Sequence, residues 1–425
     1  MVSLRCTPLT FLLTGFTWVL VSSLVGIATV IGLVKGTPLP SSLKMIHVHG
    51  ALVGGFLQLV MGGFFLSLAR SAEYKDAYSE SRPVLFLSLN AATIGLLASF
   101  WMGQMMLAGL AGLVLIGIVL SLSQMVWHHV QEELNQPGGA GWIYRAALIA
   151  LLVGLAIGVA MAFRLIEAYY AHARLLHIHL IVLGFLTVTF VVALHQLIPG
   201  VLQRDLVNLQ LARLALWSLP VGFAVLLAGF VTSFLWLELA VGGLLVIGVS
   251  LCTYNLITTW VRSGLPGNAA SDHLLISIFF LLLATIAGLA MGTNYLPNPP
   301  LLPIGTLHLV AYTHLAFIGF MVQSVCGALS YSLPIVLAIT RVPHSTNRDP
   351  YRAQLDAIMN RWGTVQLGSM SLGTMGLSVL AALTWNVSLG SLYVQSTVWV
   401  AAGLLLLSLA LFAAKLAWAV GFRPS

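Results

Sequence analysis

The sequence predicts an all-α membrane protein, with twelve transmembrane helices arranged as three pseudo-threefold four-helix arcs in a single polytopic domain over residues 1–425. Composition is the first observation behind this prediction. Of the 425 residues, 59% are hydrophobic and 7% are charged, and the mean hydropathy is +1.01. These values lie far outside the range of soluble domains. The second observation is a set of twelve apolar runs, and the third is a histidine motif that recurs at every fourth run.

Each apolar run is about 20 residues long or longer, which is the length that an α-helix needs to cross a bilayer. The first run is longer than a signal peptide and lacks a small-residue cleavage site, so we expect it to remain as a membrane helix. Little chain is left between the runs, and no soluble module is predicted. The runs lie near residues 8–34, 45–69, 83–101, 103–127, 142–163, 175–198, 214–236, 238–262, 273–291, 304–333, 363–384 and 393–418.

The basic residues predict the orientation of the chain. With the N-terminus inside, the outer ends of the helices hold only Lys35, Lys44, Arg164 and Arg174. The positive-inside rule therefore places both termini in the cytoplasm. This bias and contact with anionic lipid explain the net charge of +7, so we predict membrane lipid as a partner and no nucleic-acid partner. The cytoplasmic ends hold 14 of the 18 basic residues: Arg5, Arg70, Lys75, Arg82, Arg145, Arg204, Arg213, Arg262, Arg341, Arg348, Arg352, Arg361, Lys415 and Arg423.

A short motif repeats in predicted helices 2, 6 and 10. Helix 2 begins "KMIHVHGALVGGF", helix 6 begins "RLLHIHLIVLGF", and helix 10 contains "YTHLAFIGF". In each, a glycine follows the last histidine by five residues, which makes His49, His179 and His314 equivalent positions. Tyr312 takes the place of the first histidine in helix 10. The three helices are four apart, so the chain reads as three units of four helices.

The spacing within each pair of histidines indicates what they face. Residues i and i+2 on a helix are about 200° apart, so His47 and His49 face opposite sides of helix 2. The same holds for His177 and His179. His308 precedes Tyr312 by one turn on the same face of helix 10. A helix that presents imidazoles to two neighbouring cavities suits a wall shared by two haems, because imidazole is a favoured axial ligand of haem iron.

Isolated histidines in membrane helices are often only hydrogen-bond donors between helices. Six histidines at one depth on three equivalent helices instead favour metal or haem binding, with a proton or ion pathway as the alternative. The three cysteines are scattered and no C-x-x-C-H motif occurs, so we expect one or more non-covalent b-type haems. The candidate cofactor ligands are His47, His49, His177, His179, His308 and His314, and all of these except His308 are also candidate metal ligands.

Two arginines in the outer loop before helix 6 are further candidates. Arg164 and Arg174 lie there with Glu167 and His172, beside the proposed haems. Guanidinium groups bind carboxylates well, so these arginines are candidates for pairing with haem propionates. Ordinary anchoring at the membrane interface explains them equally well.

These residues carry a resemblance. The order H-x-H, then L-G-F, then "LHQLIP" or "LSYSLP" resembles the haem-binding helix of heme-copper oxidase subunit I, especially its C-family and nitric oxide reductase branches. The resemblance implies the twelve-helix fold, a low-spin haem held by His314 and by His47 or His49, and a high-spin haem facing a copper ion. It also implies an oxidoreductase of a respiratory chain in the bacterial inner membrane. A cytochrome c or another redox subunit would meet its outer face.

The sequence departs from this family at the copper ligands. The family has an adjacent histidine pair at the outer end of helix 7, but that end reads "VTSFLWLELA". The adjacent pair His128 and His129 ends helix 4 on the cytoplasmic side, and we interpret it as a solvated helix end. The early H-x-H helix also resembles the NnrS family, which comprises haem- and copper-containing membrane proteins of nitric oxide stress.

Two classes of function follow from these observations. The first is a redox protein that transfers electrons, or binds or reduces a small gas such as O₂ or NO. The second is a twelve-helix transporter. Transporters usually have charges at the membrane midplane or helix breaks in paired halves. Here the predicted helices contain very few charged residues and the repeat is threefold, so the sequence favours the redox protein.

Overall fold

The computed structural model describes residues 6–37, 39–68, 81–133 and 140–424. Within these ranges the chain is helical and contains no strand, and twelve helices are long and apolar enough to cross a membrane. The predicted all-α membrane class is therefore confirmed. The helices are α1 (Pro8–Lys35), α2 (Ser42–Ser67), α3 (Arg82–Met102), α4 (Met105–Trp127), α5 (Gly141–Ala162), α6 (Glu167–Leu202), α7 (Leu209–Thr232), α8 (Leu235–Ser263), α9 (Ala269–Thr293), α10 (Thr306–Arg341), α11 (Gly363–Leu383) and α12 (Leu392–Gly421).

Helices α6 and α10 are longer than the hydropathy pattern predicts. Both continue through an internal proline, Pro199 in α6 and Pro334 in α10, where the predicted runs stop. A chain that left the helix within lipid would expose backbone N–H and C=O groups that find no hydrogen-bond partner there. A helix therefore continues through a proline more readily in lipid than in water. Between α10 and α11 lies an amphipathic helix, Arg348–Asn360, which the sequence analysis did not predict.

The three histidine-bearing helices are the most buried of the twelve. In the most apolar window of α2, α6 and α10, 67%, 61% and 72% of the residues are buried, against at most 44% in the other described spans. These three helices also share a backbone irregularity. A π-helical segment begins directly after His49, His179 and His314, over Gly50–Leu57, Leu180–Thr187 and Leu315–Val322. The predicted equivalence of the three helices is thus present in the backbone itself.

The first compact unit of the chain comprises Met1–Thr189 and Leu227–Ser233. Within it, each helix from α1 to α6 packs against the next. Arg145 on α5 is 3% exposed, and it donates a hydrogen bond of 3.0 Å to the carbonyl of Trp127. Its guanidinium also lies over the rings of Trp127 and Trp142, 4.1 and 4.8 Å from their centroids. The buried charge is therefore held by a carbonyl and two aromatic faces.

The second unit comprises Phe190–Leu226 and Phe234–Ser425, and within it α8 to α12 pack against one another in chain order. Arg341, the last residue of α10, forms hydrogen bonds with both the C-terminal end of α12 and the amphipathic helix. It donates hydrogen bonds of 2.7 Å to the carbonyls of Val420 and Phe422, and one of 3.1 Å to the Tyr351 hydroxyl. The last carbonyls of a helix have no partner within it, and Arg341 supplies one.

Close packing of α9 on α10 gives a stability prediction. A Cβ atom added at Gly327 would lie 2.6 Å from Leu274 Cγ and 2.9 Å from the Ala270 carbonyl oxygen, so the backbones must separate. Overpacking of this kind costs about 1–3 kcal/mol. We expect Gly327→Ala to lower the thermal midpoint of unfolding in detergent. The control is Gly403→Ala on α12, where a Cβ meets nothing within 4 Å and the midpoint should not fall.

Candidate cofactor site

The second histidine of each motif is oriented by its own helix. The Nδ1 atoms of His49, His179 and His314 lie 2.9, 2.9 and 2.7 Å from the carbonyl oxygens of the residues four positions earlier. A ring nitrogen that bonds a carbonyl must carry the hydrogen, so Nδ1 donates and the lone pair is on Nε2. This tautomer is the one that presents Nε2 to a metal, and a carbonyl partner on the other nitrogen is the usual support of a ligating histidine.

The first histidine of each motif is oriented by the preceding helix. His47 Nδ1 donates to the Ser22 carbonyl on α1, and His177 Nδ1 donates to the Gly154 carbonyl on α5, each over 2.7 Å. A glycine in the preceding helix makes room for each ring: a Cβ at Gly26 would lie 2.5 Å from His47, and one at Gly158 would lie 2.8 Å from His177.

The third repeat follows the same plan with a different side chain. A Cβ added at Gly288 on α9 would lie 3.0 Å from the Tyr312 hydroxyl. Tyr312 therefore occupies the space that His47 and His177 occupy in the other repeats, as its place in the motif predicts. The consequence is chemical: the third repeat offers one imidazole at this depth where the first two offer a pair.

Within the first unit, the structure brings together two histidines from different repeats. The ring centroids of His49 on α2 and His177 on α6 are 6.5 Å apart, and their planes differ by 21°. Metal–imidazole bonds are about 2 Å long, so two imidazoles on opposite sides of one iron have ring centres roughly 6 Å apart. Both rings have Nδ1 bonded to a carbonyl, so both have Nε2 left for a ligand. His49 and His177 are therefore the residues of the first unit that would hold a haem iron between them, each through Nε2.

An aromatic ring accompanies two of the histidines. The Phe100 ring lies 4.7 Å from the His49 ring at 53°, and the Phe230 ring lies 4.6 Å from the His179 ring at 57°. Each phenylalanine follows its histidine by 51 residues. Sequence reasoning missed these two side chains, although the 130-residue offset between His49 and His179 also relates Phe100 to Phe230 and would have found them.

The glycines that follow the histidines serve helix packing. A Cβ at Gly54 would lie 2.6 Å from the Trp18 ring, and one at Gly319 would lie 2.4 Å from the Phe280 ring. An aromatic side chain of a neighbouring helix therefore fills the space beside each of these two glycines. Gly184 is buried at the equivalent position in α6. Glycine at these positions allows close packing of helices, and the contacts at Gly54 and Gly319 leave no room there for a flat macrocycle.

The outer arginines and their neighbours are placed differently from the prediction. The α-helical part of α6 begins at Tyr170, so His172 and Arg174 lie on the helix and not in a loop. Arg164 pairs with Glu167 over 3.7 Å on the surface, with side chains 78% and 67% exposed. Arg174 is exposed one turn before His177, hence on the same side of α6. Arg174 is therefore the better placed of the two for a carboxylate beside His177.

His308 and His314 belong to the second unit, whereas His47 and His49 belong to the first. A haem between α2 and α10 accordingly stays a prediction. At the start of α10, the Gly305 amide donates to His308 Nδ1 over 3.1 Å, and the His308 ring stacks 4.7 Å from Trp385. This histidine thus has a structural role at a helix end, whatever else it binds.

A three-histidine copper centre finds no support in the described part of the chain. No group of three or more His, Cys, Asp or Glu side chains there has the geometry to hold a metal ion. His128 and His129 lie on the described continuation of α4 to Glu133, but their side chains are outside the described residues. His195 donates to the Val191 carbonyl over 2.8 Å and lies 3.8 Å from Cys252 Sγ, as a structural side chain does.

Comparison with known proteins adds no family to this picture. The chain matches no protein-family model and no curated protein sequence. The resemblance to heme-copper oxidase subunit I accordingly rests on the motifs quoted from α2, α6 and α10. The assignment of a function rests on the geometry of this chain's own residues.

Proposed function

We propose that this chain is a membrane b-type haem protein that transfers electrons, or binds or reduces a small gas such as O₂ or NO. The observation that carries the proposal is the His49–His177 pair, whose rings lie 6.5 Å apart with planes that differ by 21° and which would hold one haem iron between them. Two carbonyl anchors on Nδ1, from Met45 and Gly154, support this use of the pair.

The residues around the pair favour a redox role. The Phe100 ring lies against one side of the His49 ring, and apolar surroundings help to set the potential of a haem. Arg174 supplies a cation on the outer side of His177. When bound, a haem would supply one-electron chemistry, which no side chain of this site offers.

The two activities call for different ligand sets. A haem held by both His49 and His177 would supply electron transfer. A haem held by His179 alone, whose Nδ1 donates to the Leu175 carbonyl, would also be able to bind a gas. Copper is not part of the proposal, since the described residues provide no ligand group for it.

The proposed setting is the bacterial inner membrane, with a redox partner such as a cytochrome c at the outer face. The distribution of basic residues supports this orientation, because it places the N-terminal ends of α2, α6 and α10, and so their histidines, on the outer side. A donor that docked there would meet the pair without crossing the membrane interior.

The first test is the colour of the protein. We expect the purified chain, expressed with ample haem supply, to show a low-spin b-type signal in a reduced-minus-oxidised spectrum. His49→Ala and His177→Ala should each remove the same signal, because each takes one of two ligands from one iron. His172→Ala is the matched control on α6, since His172 is exposed and bonds Ser233. A colourless wild-type protein, or an unchanged spectrum in both variants, contradicts the proposal.

A second test moves a ligand without replacing it. Gly158→Val places a side chain on the His177 ring, whose nearest atom would lie 2.8 Å from the new Cβ. We expect a shift of the haem signal from low spin towards high spin and a loss of haem during purification. Gly117→Val is the control, because a Cβ there meets nothing within 4 Å. Equal spectra for the two variants would show that His177 is not a ligand.

A further inference from the structure

The second unit contains a lysine buried inside the membrane region. Lys415 on α12 is 1% exposed, and its Nζ donates a hydrogen bond of 2.6 Å to Gln366 Oε1 on α11. The sequence predicts Lys415 at the cytoplasmic end of its helix, and the structure adds that its side chain is buried among other helices. Gln366 is itself fully buried, and Ser408 donates to its backbone carbonyl over 2.8 Å.

Lys415 has no carboxylate partner in the part of the chain that the structure describes. The ion pairs among the described residues are Arg164–Glu167 and Arg352–Asp356, and neither involves this ammonium. A charge buried in a membrane protein without a counter-ion is costly, and such residues commonly belong to ion or proton pathways. A buried lysine also gives up its proton more readily than arginine does, which makes it suited to carrying protons.

A second cluster of hydrogen-bonded polar side chains lies on α9, α10 and α11. His273 on α9 is fully buried and its Nδ1 is hydrogen-bonded to Gln323 Oε1 on α10. Gln323 Nε2 donates in turn to Ser371 Oγ on α11 over 3.0 Å. The Lys415 cluster and the His273 cluster thus both include a residue of α11: Gln366 in the first and Ser371 in the second. The charge of Lys415 is close enough to act on His273.

Each of the two clusters contains a polar atom that has no hydrogen-bond partner in the described part of the protein. Among the described residues, His273 Nε2 and Gln366 Nε2 are buried and make no hydrogen bond. Three more such atoms lie in this unit, at the cytoplasmic side on Ser330 and towards the outer side on Ser378 and His308. Buried polar atoms left without protein partners are normally satisfied by internal water. These five atoms lie on α9, α10 and α11, and we call their row the polar column, where internal water would supply the missing partners.

The column has an opening at the cytoplasmic face. A cavity of about 190 Å³ is lined there by Ser330, Ala270 and Asp356, among others. Ala270 precedes His273 by one turn of α9, so the cavity reaches the level just below that imidazole. Burial raises the pKa of the Asp356 carboxyl, and the nearby charge of Arg352 opposes that rise. Asp356 is therefore a proton acceptor at the mouth of the cavity.

Other titratable groups lie on the helices that form this column or pack against it. They are Asp272 on α9, His308, Tyr312, Cys326 and Tyr331 on α10, and Cys252 on α8. The amphipathic helix contributes Arg352 and Asp356, while α11 contains no titratable side chain. The basic groups with buried polar atoms are Lys415 and His273 in the middle of the column and His308 at the start of α10.

We propose that Lys415 and His273 carry protons along a water-linked pathway through the second unit, which opens at the cytoplasmic cavity. A proton taken up from water at the Lys415 amine gives an ammonium, which returns a proton to the next water. His273 accepts at Nε2, the nitrogen whose lone pair has no protein partner, and releases the proton again. Only protons are transferred in these steps: no bond to carbon forms or breaks, and no electron is gained or lost. The pathway does not depend on haem.

Proton uptake by vesicles tests this proposal. The full chain is reconstituted into lipid vesicles that enclose a pH-sensitive dye, and a potassium gradient with valinomycin supplies the driving potential. We expect proton uptake faster than in protein-free vesicles. Lys415→Met and His273→Phe should return the rate to that of protein-free vesicles. Ser324→Ala is the matched control, since this buried serine of α10 donates only to Ser277 and should keep the wild-type rate.

A further variant separates proton transfer from a structural charge. Lys415→Arg keeps a cation and a donor for Gln366, but guanidinium does not release its proton at accessible pH. We expect this variant to fold, as judged by its circular dichroism, and to lose the flux. The proposal is overturned if Lys415→Arg shows the wild-type rate of proton uptake. It is also overturned if vesicles with the wild-type protein take up protons no faster than protein-free vesicles, or if Ser324→Ala loses the flux equally.

Discussion

The hydrogen bond from a histidine Nδ1 to a backbone carbonyl is the interaction on which the candidate site depends. It occurs at all five motif histidines, with the carbonyl supplied either by the same helix or by the helix before it. The histidine side chain has two rotatable bonds and two neutral tautomers. The hydrogen bond to the carbonyl holds it in one rotamer and one tautomer. In a membrane interior, where water is scarce, the same bond satisfies the Nδ1 N–H of each ring and leaves Nε2 as the atom that still needs a partner.

Hydropathy and the histidine repeat predicted the number of spans, the class of fold and the equivalence of α2, α6 and α10. The missed features have identifiable physical causes. Pro199 and Pro334 end helices in water but not here, and the π-helical turns after His49, His179 and His314 leave no mark in an apolar run. That His49 faces His177 depends on how α2, α5 and α6 pack, which spacing along one helix does not determine.

The two compact units share a backbone plan and differ in the chemistry built on it. Gln58 and Gln323 both follow the π-helical segment of their helix, and both are fully buried. Gln323 bonds His273 and Ser371, whereas the Gln58 amide has no hydrogen-bond partner among the described residues. Val188 takes this place in α6. The three helices share this backbone geometry, but the side chains that follow the π-helical segment make different contacts.

The His49–His177 pair has a consequence for the order in which the protein is made. Both rings, and the carbonyls of Met45 and Gly154 that orient them, come from the first 177 residues. Chains fold from the N-terminus as they emerge from the ribosome. Every residue of this pair and its carbonyl partners is therefore translated before α8 to α12. If the pair holds a cofactor as proposed, the first unit would supply those ligands without any residue of the later helices.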